Sequence, residues 1–201
     1  MPFINLTPPT QHTTICYNVR AAYPHVGVSY VTLLLAQQFS AQQKKVLVFD
    51  NLLGLKNLNL KNPNASSIEN VLVGKYPLSE LIFTHQNFDV ICGVANTNLN
   101  ALSFVGKQHI QSQLQILSQN YDVLICDVPP IIEEPLFASA QSLWVVSMSK
   151  RVILATLKYA ESTPQLILNK TTDNDSLQNL TLMLRQTDPE AKIFQTVPLK
   201  K

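Results

Sequence analysis

Short apolar runs alternate with longer helix-like stretches along most of the chain. Several of the short runs consist almost entirely of valine, isoleucine and leucine, which is typical of parallel strands covered on both faces. This order predicts an α/β fold, a doubly wound and mainly parallel sheet with helices on both faces. The predicted strands span residues 13–19, 45–49, 88–92, 122–126, 142–148, 165–168 and 193–197, and the predicted helices span residues 29–42, 67–73, 77–83, 107–119, 151–162 and 176–186.

The chain of 201 residues is long enough for one domain with a substantial core. Hydrophobic residues make up 46% of it and charged residues 14%, which suits a compact sheet better than a disordered chain. Residues 1–12 contain three prolines and are predicted to be an irregular lead-in. Residues 13–201 are predicted to form a single domain.

Charge and cysteine content exclude several kinds of protein. The net charge is +2, so no broad field for nucleic acid is indicated, and no apolar run reaches the length that spans a bilayer. We therefore expect a cytoplasmic protein. Cys16, Cys92 and Cys126 lie far apart inside strand-like runs, which predicts buried, reduced thiols and neither a disulfide framework nor a metal site.

Candidate binding residues follow the predicted strands. In an open α/β sheet, ligands bind beyond the carboxyl ends of the strands. The loop at residues 22–29, Asp50, Asp127 and Asn169 occupy such positions. Two acids at strand ends could hold Mg²⁺ opposite a phosphate-binding loop.

The loop between the first strand and the first helix lies where a phosphate-binding loop would lie, but it contains few of the residues that such a loop needs. A working loop needs glycines, a lysine and a serine or threonine, and only Gly27 and Ser29 meet that description. His25 has no partner histidine at ligand spacing. The other interpretation is structural: Gly27 and Ser29 begin a helix, while Asp50 and Asp127 end strands.

Four segments resemble the MinD/ParA-type deviant Walker ATPases, a branch of the SIMIBI-class P-loop NTPases. Residues 49–60, Phe-Asp-Asn-Leu-Leu-Gly-Leu-Lys-Asn-Leu-Asn-Leu, resemble the family's Asp-x-Asp-x-Gly-Leu-x-Asn-x-Asp segment. Residues 68–82 resemble the corresponding stretch of the FlhG/FleN flagellar-number regulators. Residues 88–94 and 121–127 are similar to the family's next strand and to its Walker B strand. The resemblance implies a P-loop NTPase-like fold.

This chain departs from the family pattern at the positions whose side chains bind phosphate and position the attacking water in that family. Where the family has Lys-Gly-Gly-Val-Gly-Lys-Thr-Thr, residues 23–30 read Tyr-Pro-His-Val-Gly-Val-Ser-Tyr. Tyr23 therefore replaces the signature lysine, Val28 replaces the phosphate-binding lysine, and Leu52 stands at the acid that positions the attacking water. Residues 128–130, Val-Pro-Pro, replace a small, glycine-containing switch. Loss of these groups removes most of the electrostatic stabilisation that phosphoryl transfer needs.

The resemblance therefore implies a degenerate Walker A loop, a pseudo-ATPase and no catalytic residue. The remnants of the nucleotide pocket would be Gly27, Ser29, Asp50, Asp127 and Asn169, the last at the family's adenine-contacting asparagine. No cofactor is expected, with ATP and Mg²⁺ as the alternative. Family members usually continue beyond the region similar to residues 194–198, and some end in a membrane-binding helix. Because this chain stops at Lys201, we expect a truncated domain without a direct membrane anchor.

The expected function is protein binding in the placement or number control of a bacterial polar surface machine such as the flagellum. Its partners would be proteins of a polar or secretion-type machine, with a homodimer as a further expectation and no nucleic acid. A partner would recruit the protein from the cytoplasm to a pole or membrane. The alternatives are a slow ATPase whose dimer is gated by nucleotide, a TadZ/CpaE-like pilus-localisation protein, or a cellulose-synthesis accessory protein.

Overall fold

The computed structural model describes residues 13–50, 68–92, 104–128, 140–147, 149–160, 164–171, 174–187 and 192–198. Within these residues, eight strands form one sheet in the order β3-β4-β2-β5-β1-β6-β7-β8. All neighbouring strands are parallel except β3, which is antiparallel to β4. The predicted fold class, a mainly parallel sheet with helices on both faces, is confirmed.

The elements follow one another in the order expected of a doubly wound fold. The strands are β1 (Ile15–Arg20), β2 (Val46–Asp50), β3 (Ile82–His85), β4 (Phe88–Cys92), β5 (Val123–Asp127), β6 (Gln141–Val146), β7 (Gln165–Thr171) and β8 (Lys192–Pro198). The helices are α1 (Val28–Ala41), α2 (Ile68–Leu72), α3 (Phe104–Ser118), α4 (Lys150–Tyr159) and α5 (Asn174–Thr187), and a short 3₁₀ helix spans Leu78–Leu81.

All seven predicted strands are present, but the helix predicted over residues 77–83 is wrong. Pro77 does precede a helical turn, yet the turn ends at Leu81 and the chain continues as β3. The segment Ile-Phe-Thr-His of β3 is β-branched and aromatic, which favours a strand. It pairs with β4 through a two-residue turn in which Gln86 has a positive φ of 54°.

The core lies on both faces of the sheet. Strand residues of one face, such as Val48 and Ile125, pack against Val31 and Leu35 of α1. On the other face, α2, the 3₁₀ helix and α3 cover β2, β4 and β5. On that same face, α4 and α5 cover β6 and β7. Helix α1 therefore begins beside the carboxyl ends of the central strands and packs against their buried side chains.

Some predictions lie outside the described residues. The lead-in at residues 1–12, Leu52 and the prolines at 129–130 belong to this group, and the domain limits stay a prediction. Cys92 and Cys126 are buried, as predicted, whereas Cys16 is only partly buried. In the part of the chain that the structure describes, none of the helices has both the length and the apolar character needed to cross a membrane.

Candidate functional site

The loop between β1 and α1 packs against the sheet at the carboxyl ends of its strands. Ala21, Ala22 and Val26 are buried, whereas Pro24 and His25 are exposed. His25 has a positive φ of 62°, a conformation that a non-glycine residue rarely adopts. The loop therefore has a defined shape that its buried alanine and valine side chains anchor.

Gly27 occupies a position that tolerates no side chain. Its φ is 94°, in the left-handed region, and its carbonyl accepts the backbone N–H of Val31 at 3.0 Å as α1 begins. A Cβ at this position would collide with the amide nitrogen of Asn169. Conformation and space both require glycine here.

Asn169, near the end of β7, ties the loop to the sheet. Its side-chain N–H donates to the carbonyl oxygen of Val26 at 2.7 Å, and the side chain is almost fully buried. The bond joins positions 143 residues apart in sequence. The amide that the family resemblance places against adenine thus holds the β1–α1 loop in this structure.

Two acids lie side by side at the ends of central strands. Asp50 ends β2, Asp127 ends β5, and the two are paired in register. Both are buried, and the Ser29 hydroxyl in the first turn of α1 donates a hydrogen bond to Asp127. The sequence-predicted residues Gly27, Ser29, Asp50, Asp127 and Asn169 therefore meet at one edge of the sheet.

Asp127 holds a proton at neutral pH. Burial, together with the charge of Asp50, raises the pKa of its carboxyl to about 8, and the hydrogen bond from Ser29 opposes the shift. Among the residues that the structure describes, none hydrogen-bonds to its buried Oδ2 atom.

Cys92 ends β4 beside Asp50, with which it is paired in register. Burial, together with the charge of Asp50, raises the pKa of its thiol to about 12. Nucleophilic chemistry needs a thiolate, and this thiol stays protonated at neutral pH. Cys92 is therefore a packing residue of the site.

The side chains at positions 23 and 28 pack instead of projecting a charge. Tyr23 contacts core residues beneath the loop, and Val28 packs against the cluster under α1. The guanidinium of Arg151, in the first turn of α4, lies 6.0 Å from the centre of the Tyr23 ring. Both positions are thus occupied by uncharged, partly buried groups.

Sequence analysis missed the two arginines beside this loop. Arg20 ends β1 with its guanidinium 4.6 Å from the centre of the Trp144 ring, and Arg151 begins α4 next to Tyr23. Both positions flank strand ends, so the rule that identified Asp50 and Asp127 would have found them. Each arginine lies over an aromatic ring, which is an established way of holding a guanidinium in place.

Comparison with solved structures identifies the architecture. No protein-family model and no curated protein matches the sequence. A chain of the MinC:MinD cell division protein complex of Aquifex aeolicus superposes with a TM-score of 0.72 at 18% identity, over 93% of this chain and 82% of that one. The cell division ATPase MinD of Pyrococcus furiosus gives a TM-score of 0.71 at 19% identity, over 94% and 84%. A ParA family ATPase of Chlorobium tepidum gives 0.72 at 16%, over 94% and 86%.

The fold is that of the MinD and ParA ATPases. At these identities the likeness concerns the fold, so the roles of individual residues rest on the geometry of this chain. The predicted P-loop NTPase-like architecture is confirmed. The roles assigned to Gly27, Ser29, Asp50, Asp127 and Asn169, and to the substituted positions 23, 28 and 52, stay predictions.

The fold implies a nucleotide with Mg²⁺. The residues present suit the Mg²⁺ ion better than they suit the phosphates. Oδ2 of Asp127, the Ser29 hydroxyl and Asp50 are oxygen groups of the kind that Mg²⁺ prefers. The phosphate half does not fit, because Tyr23 and Val28 supply no ammonium to a triphosphate. Within the described ranges, no group of three histidine, cysteine, aspartate or glutamate side chains is placed to bind a metal ion. The described residues therefore supply oxygen groups for Mg²⁺ but lack the two lysine ammonium groups of the family's phosphate loop.

Proposed function

We propose that this protein is a catalytically degenerate relative of the MinD and ParA ATPases that acts by binding other proteins. The observation that carries the proposal is the packing of Tyr23 and Val28 at the two positions where the family pattern has lysines. Without those ammonium groups, the negative charge that develops on a transferring phosphoryl group has no partner in the loop. Turnover of ATP would lose several kcal/mol of transition-state stabilisation.

The contacts of the loop support the same conclusion. The hydrogen bond from Asn169 to Val26 fixes the loop to β7. A loop that such contacts hold in shape would keep one conformation.

The surface of α4 beside the loop suits a protein partner. Leu154 and Tyr159 are exposed apolar side chains, and Lys150, Arg151 and Lys158 are exposed cations on the same helix. The helix carries no acidic residue, and two of its cations lie in the first turn, where the helix dipole disfavours them. An acidic protein segment with apolar anchors would complement this surface.

The assignment to a polar surface machine rests on the likeness of residues 68–82 to the flagellar-number regulators. We propose that the protein takes part in placing or counting such a machine and that a partner recruits it from the cytoplasm to a pole or membrane. A chain of a MinC:MinD complex and a plasmid partition protein have a similar fold. Binding to a protein partner, or to a second copy of the chain, would be consistent with these similarities. Pilus localisation and cellulose synthesis are the alternatives of the same architecture.

A second candidate is a slow ATPase whose dimer is gated by nucleotide. It is favoured by the meeting of Ser29, Asp50 and Asp127 beside Gly27 at one edge of the sheet, because the oxygen atoms of these three side chains are the ones that would hold Mg²⁺. Cations other than loop lysines would then have to face the phosphates. Arg151 is near enough to the loop to be the first candidate.

Calorimetry with ATP and Mg²⁺, together with light scattering, separates the two functions. We expect no heat of binding and the same molar mass with and without nucleotide. Micromolar binding accompanied by a rise in mass would overturn the proposal in favour of the gated ATPase, and Arg151→Ala would then abolish the heat. The matched control is Lys158→Ala, which removes an exposed cation from the same helix at its other end.

A further inference from the structure

A glutamine of α3 caps the short 3₁₀ helix that leads into β3. The first N–H of a helix has no partner within the helix, and Pro77, the residue before this one, makes no side-chain hydrogen bond to it. Oε1 of Gln113 accepts the backbone N–H of Leu78 at 2.5 Å. The Leu78 side chain is fully buried, so this bond lies where the helical turn enters the core.

The same side-chain amide also meets a histidine. Nε2 of the His109 ring lies 2.8 Å from Nε2 of Gln113, four residues further along α3. A backbone N–H is always a donor, so the bond to Leu78 fixes the amide with its oxygen toward the 3₁₀ helix and its NH₂ group toward His109. The ring nitrogen that faces this NH₂ group must accept, and only a neutral imidazole has a nitrogen that accepts.

We propose that His109, Gln113 and the Leu78 N–H form a proton-sensitive latch, closed while His109 is neutral and opened when the ring takes up a proton. Protonation places an N–H on the ring nitrogen that faces the Gln113 NH₂ group, so two donors oppose each other. If the amide turned over to offer its oxygen to His109, its NH₂ group would face the Leu78 N–H. The protonated ring and the Leu78 N–H therefore compete for one oxygen atom. Histidine is the side chain that ordinarily changes its charge between about pH 5 and 8.

The surroundings of His109 leave its charge to solvent and to this bond. The ring is exposed, and among the described residues it hydrogen-bonds to Gln113 and forms no ion pair. The charged or titratable residues of α3 and of the elements packed against it are Lys107 of α3, Glu69 of α2, Glu80 of the 3₁₀ helix, Cys16 of β1, Asp50 of β2, Asp89 and Cys92 of β4, Tyr121 before β5, and Cys126 and Asp127 of β5.

Opening of the latch would act on the entry into β3 and leave the core in place. The side chains of Leu78 and Leu81 are fully buried and stay packed without the hydrogen bond. The bond holds the amino end of the turn, and the turn continues directly into the edge strand β3. The latch uses no residue of the β1–α1 loop, so it holds whether or not the proposed function does.

Amide hydrogen exchange of the full chain, followed by NMR at pH 5 and pH 7.5, tests the latch. Protection factors correct for the pH dependence of exchange itself. We expect the protection factor of the Leu78 amide to fall by about twofold to tenfold at pH 5, as the loss of one hydrogen bond predicts. The amide of Val48, in the central strand β2, should keep its protection. An unchanged Leu78 amide, or an equal fall at Val48, would overturn the proposal.

Two variants separate the latch from a general effect of acid. His109→Ala leaves Gln113 free to accept from Leu78, so protection should no longer depend on pH. Gln113→Glu supplies a carboxylate that accepts from the Leu78 N–H and from a protonated ring together, so protection should rise at pH 5. His85→Gln is the matched control, since it removes a histidine from β3 and keeps the latch. Persistence of the pH effect in His109→Ala, a fall at pH 5 in Gln113→Glu, or loss of the effect in His85→Gln would contradict the mechanism.

Discussion

At the scale of single residues, the proton on Asp127 makes stability depend on pH. Its folded pKa is about 8 against an ordinary value of 3.8. The stabilisation is therefore fully present below about pH 4 and is lost as pH rises through about 8, at about 1.4 kcal/mol per pH unit at most. Asp127→Asn keeps the shape of the neutral carboxyl, so the variant should gain stability over the parent between pH 5 and 8. Urea denaturation at three pH values measures this, and parallel pH profiles would contradict it.

Sequence reasoning located these residues because strand register fixes where strand-end side chains lie. Asp50, Ser29 and Asp127 were identified in this way, and the structure brings them together. The partner of Asn169 could not be found from sequence, because its hydrogen bond to Val26 depends on how β7 sits against a loop 143 residues earlier. The stacking of Arg151 on Tyr23 depends on tertiary packing in the same way.

At the level of elements, one aspartate fastens the edge strand β3, whose first two residues were predicted to be helical. Asp89 of β4 accepts the Thr84 hydroxyl of β3 at 2.7 Å and the Tyr121 hydroxyl, just before β5, at 2.8 Å. Periodicity cannot detect such a bond, since a helix of residues 77–83 and a turn followed by a strand share the same apolar positions.

Asp89→Ala should therefore loosen β3 before the rest of the sheet. Removing the acceptor leaves the buried Tyr121 hydroxyl without a partner, which costs about 1 to 3 kcal/mol. Hydrogen exchange should show faster exchange of the β3 amides and little change in β1. Tyr121→Phe keeps the Thr84 bond and serves as the comparison, with a smaller effect on β3. Equal effects of the two variants on β3 would show that the Thr84 bond contributes nothing.

For the whole molecule, the position of β1 should make the sheet one cooperative unit. This strand comes first in the chain but lies between β5 and β6, so it joins the β3-β4-β2-β5 half to the β6-β7-β8 half. Without β1, strands β5 and β6 would each lack a hydrogen-bonded neighbour on one side, because β1 pairs with β5 on one side and with β6 on the other. Sequence reasoning predicted the strands but not this order, which depends on pairing between distant segments.

Unfolding should accordingly occur in a single transition. The only tryptophan, Trp144, is buried in β6 under Arg20 of β1, so its fluorescence reports the junction of the two halves. Far-ultraviolet circular dichroism reports all the elements together. If β1 couples the halves, the two signals should give the same urea midpoint and the same dependence on urea. Arg20→Ala should shift both midpoints together, since it weakens the junction and neither half alone. A fluorescence transition at lower urea than the dichroism transition would mean that the β6-β7-β8 half unfolds independently, and the predicted single domain at residues 13–201 would then have to be divided.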